Sequence, residues 1–142
     1  MLTLQQTKTL IETKYLEISA SDPLLYTVFP NTDNPYDLNN DDDVICKITL
    51  NMGDVVGEEK EHDGVARRVG VLSLSFFGLW GSGSGRLLSV AETFERAFHK
   101  SEINSEDGDV YFMNAYTTGG FLTENTKFCY VMNVPFWVWV GN

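Results

Sequence analysis

A chain of 142 residues with 43% apolar content fits one domain, residues 1–142, with a single core of real size. Its 20 acidic and 10 basic residues leave a net charge of −10, which argues against a nucleic-acid-binding surface, because that needs clustered Lys and Arg. The same charge suits solubility and suits a surface that lies near DNA without holding it. Nothing approaches the run of about eighteen apolar residues that would span a membrane. The start, Met-Leu-Thr-Leu-Gln-Gln-Thr-Lys, lacks the plan of a signal peptide, so a protein made and used in a cytoplasm is expected. Cys46 and Cys129 sit in apolar alternating runs and read as buried, reduced thiols.

Taken in order, residues 3–18 read as a helix, with Leu4, Thr7/Lys8, Ile11, Tyr15 and Ile18 on one stripe and Leu10 beside it. Ser19, Ser21, Asp22 and Pro23 stop it, since the residue before proline avoids the helical region. Leu24 to Phe29 reads as a short strand ended by Pro30. Residues 31–43 form a long polar loop, and its acidic run Asp41, Asp42, Asp43 reads as solvated, because it lacks the spacing and central glycine of a calcium loop.

Val44 to Met52 alternates as a half-buried strand, with Val44, Cys46, Ile48, Leu50 and Met52 on one side. Gly53 to Gly64, with Asp54, Glu58, Glu59, Lys60, Glu61 and His62, reads as a charged exposed loop. Val65 to Leu79 is the central strand, and its length suggests that the segment from Gly53 forms a long hairpin with the preceding strand. Leu72, Leu74 and Phe76 face one way and Val69, Val71, Ser73, Ser75 and Phe77 the other, so it belongs inside the sheet or under cover on both sides.

Gly81-Ser-Gly-Ser-Gly85 precedes Arg86-Leu87 where a phosphate loop needs Gly-Lys-Ser/Thr, so it reads as a flexible link with Ser84 as a possible N-cap. Arg86 to His99 is the second helix, with Leu87, Val90, Ala91, Phe94, Ala97 and Phe98 on its apolar stripe. Ser101 to Gly108 reads as a turn region, Asp109 to Thr117 as a strand, and Thr117 to Asn125 as a connection through Gly119-Gly120. Thr126 to Val140 is the last strand. Pro135 cannot donate to a ladder, which places that point at an edge or a bulge. Trp137 and Trp139 fall opposite Phe136 and Val138, either in a core or on an association surface.

The fold expected is therefore α+β: a mostly antiparallel sheet of about four to six strands with two main helices packed on it. No Ser-His-Asp set, Cys-His pair, metal-spaced cluster or acidic dyad stands out, and the two histidines sit in polar positions. An enzyme is not expected, nor is a metal or cofactor. Function is expected to lie in surfaces.

The order of elements resembles the tail terminator family of long-tailed bacteriophages, with its related tail-completion and minor-tail proteins. The resemblance is carried by Arg68-Val-Gly70-Val-Leu72, by the Gly81–Gly85 link, by a following helix with Leu87, Ala91, Glu92, Phe94 and Phe98, and by the closing aromatic run Val134–Val140. It implies a structural virion protein of the tail or neck, assembled in the host cytoplasm. Such a protein forms a ring, a hexamer in that family, capping the tail tube, ending tube polymerisation and offering a joining surface to the head connector proteins. DNA would pass through without specific binding, and the charge of −10 would suit an acidic lumen. No membrane partner is implied. The family has no short catalytic motif, so the candidate residues are physical choices. Trp80, Trp137 and Trp139 are candidates for the subunit interface. Asp54, Glu58, Glu59, Lys60, Glu61, Asp41, Asp42 and Asp43 are candidates to meet the tube or a neighbour, with the edge Leu24–Phe29 a lesser one. Alternatives are another neck component, such as a head-closure or head–tail joining protein, and a monomeric binding module with its tryptophans in a ligand pocket.

Overall fold

The strongest alternating runs of the sequence become the three longest strands. The structure, a computed structural model, describes residues 1–30, 42–56, 65–79, 85–123 and 127–141. Its elements are α1 (Leu4–Ser19), β1 (Leu25–Val28), β2 (Val44–Val56), β3 (Val65–Leu79), α2 (Gly85–Phe98), β4 (Glu102–Ile103), β5 (Val110–Phe112), β6 (Tyr116–Thr123) and β7 (Lys127–Gly141). Among the described residues they form one sheet of seven strands in the order β1-β2-β3-β7-β5-β4, with β6 also paired to β7. The architecture is α+β, as the patterning predicts.

Helix α1 starts where Thr3 accepts from the Gln6 amide at 3.1 Å while Gln6 Oε1 accepts from the Thr3 amide at 2.9 Å, a reciprocal cap that satisfies two end donors. Thr7, Ile11 and Tyr15 are buried, but Leu4, placed on the stripe by its spacing, is 49% exposed. Helix α2 buries the expected Leu87, Val90, Ala91, Phe94 and Phe98. It ends at Lys100, whose φ of 52° breaks the helical path, and the Lys100 amide is taken up by the Met113 carbonyl at 3.0 Å.

Both helices pack on the same side of the sheet. Phe94 stacks on Tyr15 at 5.0 Å between ring centres and leans on Phe76 at 5.5 Å, so one ring ties α2 to α1 and β3. Phe98 meets Phe112 edge-on at 5.1 Å, and Phe112 lies 6.0 Å from Phe136. The side chains on that face of β3 and β7, among them Leu72, Leu74, Phe76, Met132, Val134 and Phe136, are fully buried. A Cβ on Gly70 would stand 2.5 Å from the Phe136 ring and 2.6 Å from the Asn51 carbonyl oxygen, so only glycine lets that ring lie flat on β3.

Three expectations change. The segment Gly53–Val56 is not the start of a charged loop but takes the long-hairpin alternative: it continues β2 after an irregularity between Met52 and Val55, because β3 opposite is long enough to keep pairing. Residues 109–123 hold two strands, not one strand and a connection, and β4 lies inside the expected turn region. The pair Gly119-Gly120 falls where the β6–β7 register shifts, which is how a strand absorbs glycines. Strand β1 runs parallel to β2, with Leu25 opposite Val44, while every other pairing among the described residues is antiparallel.

Pro135 lies inside the sheet order, paired with Val71 of β3. Its carbonyl accepts from the Met113 amide at 2.8 Å, and a residue's N and C=O point the same way from a strand. The missing donor therefore faces the place where the neighbour changes from β6, which ends opposite Asn133, to β5, which begins opposite Phe136. Strand β3 is interior, as expected, but among the described residues both helices cover one face only, not both.

Candidate functional site: the helix-free face of the sheet

Strict alternation sends every second residue of β3, β5 and β7 away from the helices. Register then collects a row across three strands. Trp137 of β7 lies opposite Tyr111 of β5 and Val69 of β3, and Trp139 lies opposite Arg67. The Tyr111 and Trp137 rings stack at 4.3 Å with 20° between planes. Trp137 and Trp139 meet edge-on at 5.1 Å. The Arg67 guanidinium sits 5.4 Å above the Trp137 ring. All four side chains are half-buried.

The row has opposite charges at its ends. Beyond Tyr111, Glu102 of β4 is its register partner and is exposed. The Tyr111 hydroxyl donates to Asp109 Oδ2 at 3.3 Å. Partial desolvation of the ring, with Asp109 and Glu102 beside it, pushes that hydroxyl above its ordinary range. At the other end Arg67 Nε is buried without a hydrogen-bond partner among the described residues.

Of the residues singled out from sequence, Trp137 and Trp139 are together on this face, opposite the buried Phe136 and Val138. Asp42 is exposed, and its carbonyl accepts from Arg86 Nε at 3.0 Å while Arg86 Nη2 holds both Asp22 oxygens at 2.7 Å. Asp43, read as part of a solvated run, is only 3% exposed, because it leads directly into the buried start of β2; it is withdrawn from any contact surface. Asp54 lies in β2 rather than in a loop. Trp80, Asp41, Glu58, Glu59, Lys60 and Glu61 lie outside the described residues, as does Ser84. Leu25–Val28 is an edge strand of the sheet.

Tyr111, Arg67 and Glu102 escaped sequence reading. Each sits in a strand with ordinary composition, and only the register with β7 unites them; the parity of Tyr111 in a Val-Tyr-Phe run was the one available signal.

Elsewhere, a groove of about 510 Å³ runs beside α2, lined by Leu88, Glu92, Glu95, Arg96, His99 and Tyr130. His99 Nδ1 accepts from the Ala115 amide at 3.0 Å, which leaves the proton on Nε2 and makes that nitrogen a donor rather than a metal ligand. A smaller hollow of about 320 Å³ is lined in part by the Asp22–Arg86 ion pair. Among the described residues no group of three His, Cys, Asp or Glu is arranged to hold a metal ion, and no helix is long and apolar enough to cross a membrane. Cys46 is fully buried, which pushes its thiol up to about 12, and burial raises Cys129 as well. Lys14 lies over the Phe98 and Phe112 rings at 5.2 and 5.5 Å and donates to Ser101 Oγ at 2.9 Å; burial lowers its ammonium.

No family model and no curated protein matches this chain. Among solved structures 15 chains match, one of them with a TM-score of 0.67 over 92% of this chain and 94% of its own, at 15% identity. That likeness shows a shared fold.

Proposed function

We propose that this chain is a structural virion protein of a long-tailed bacteriophage, a subunit of the ring that caps the tail tube, ends tube polymerisation and forms the joining surface to the head connector. One observation carries the reading furthest. The sheet buries one face under two helices and leaves Tyr111, Trp137, Trp139 and Arg67 half-exposed on the other. Aromatic rings and arginine in one row are the composition of an association surface. Further support comes from the sequence resemblance over β3, the glycine link and α2. Work is done by complementary surfaces, with no catalysis, and the net charge of −10 keeps DNA in transit from adhering.

Negative-stain images of the protein mixed with isolated tail tubes test the reading. Rings seated on one tube end are expected. Binding to the head connector alone would replace the terminator with another neck component. A monomer that binds neither would overturn both.

A further inference from the structure

The geometry points to a specific contact between copies: Arg67 of one chain pairs with Glu102, flanked by Asp109, of another, with the Trp137–Tyr111 stack desolvating the pair. The inference rests on self-association as proposed above, but not on the tail tube.

Three observations converge. First, the guanidinium is prepared but unused. It is fixed at 5.4 Å over Trp137, its Nε is buried without a partner, and none of the described ion pairs includes it. An arginine in this state gains strongly from a carboxylate that arrives as water leaves. Second, the same face carries the acceptor. Glu102 is exposed and in no ion pair among the described residues, and it lies beyond Tyr111 at the β4 edge. Third, the two cannot meet within one chain. Three strand spacings separate β3 from β4 in the order β3-β7-β5-β4, or about 14 Å.

The row is thus polar from end to end: cation, indole, phenol, carboxylates. A patch of that kind matches another copy of itself. Set head to tail, the cation of each copy meets the carboxylates of the next and the contact propagates into a ring; set about a two-fold axis, both pairs form at once and the assembly closes as a dimer. In either arrangement the tryptophans supply the water-excluding surround and the ion pair sets the register.

Sedimentation of the full chain with Arg67→Glu, with Glu102→Arg and with both changes tests this. Each single reversal should weaken self-association at least tenfold, through like charges at the contact, and the double variant should recover most of it. Recovery also shows that the single variants failed at the contact and not in folding; circular dichroism of each checks the same point. Arg67→Gln gives a milder version with no repulsion and should show an intermediate loss. A wild-type assembly that ignores both reversals, a double variant no better than the singles, or a wild-type chain that stays monomeric at high concentration would overturn the pairing. A charge-rescued dimer would sustain the contact and remove the ring. A charge-insensitive ring would do the reverse.

Discussion

The two faces of one sheet are built from the same three long strands and differ in nearly every other respect. On the helix side, Leu72, Leu74, Phe76, Met132 and Phe136 are fully buried, and rings from α1, α2, β3 and β5 interlock. On the helix-free side, Ser73 Oγ donates to Asn133 Oδ1 at 2.7 Å across β3 and β7, Lys47 and Asn51 are exposed, and the aromatics are half-buried. Among the described residues the helices complete one face, while on the other Ile45 and Cys129 are buried at one end and the row of Tyr111, Trp137 and Trp139 is half-exposed. A sheet that spends its best apolar residues on one side and keeps two tryptophans and an arginine on the other divides stability from recognition along a two-residue period.

Substitutions should separate the two faces, and the largest effect belongs to the covered one. Phe94→Ala removes a ring shared by Tyr15 and Phe76, and should cost about 3–5 kcal/mol in denaturant unfolding with no specific effect on assembly of whatever folds. Gly70→Ala pushes a methyl against the Phe136 ring and the Asn51 carbonyl, and should cost about 1–3 kcal/mol by the same measurement. If Gly70→Ala were neutral, the close approach of β3 to Phe136 would be wrong.

The covered face also sets an alkaline limit. The Cys46 thiol, raised by burial to about 12 from 9.0, keeps its proton in the folded chain at pH values where the unfolded chain loses it. Stability that is intact below about pH 9 should therefore fall as pH rises toward 12, by about 1 kcal/mol per pH unit once the unfolded thiol ionises. The Tyr15 hydroxyl, raised mainly by the same burial, acts in the same direction. Unfolding midpoints of wild type and Cys46→Ala between pH 8 and 11 check this, and the variant should show the shallower decline. Smallest in stability should be Trp137→Ala on the open face, about 1 kcal/mol from the lost Tyr111 stack, yet it should weaken self-association more than any of the three substitutions of the covered face. A large stability loss with unchanged association would make the tryptophan a core residue and erase the contrast.

The contrast was half legible in the sequence. Alternation in β3 gave its bounds, Val65–Leu79, and both of its faces, and the 3.6-residue stripe gave α2 its buried residues, because those signals are local. Trp137 and Trp139 were separable from Phe136 and Val138 by parity alone. What the sequence could not express was adjacency. That β1 pairs in parallel with β2, that β5 and β6 share one edge of β7, and that Tyr111, Trp137 and Arg67 form a row all depend on pairings between distant segments. Glycine misled as well: Gly119-Gly120 read as a break, but the long partner strand β7 carried the ladder past it. Asp43 read as solvated from its neighbours, while its place at the mouth of β2 buried it.

Tube elongation is the most direct measurement of the proposed role. Tail tube subunits polymerising in the presence of this protein should stop growing once a ring has seated on each growing end, at amounts of protein far below the tube subunit and with little further growth over time. Tubes that reach the same lengths with and without it would contradict a terminator.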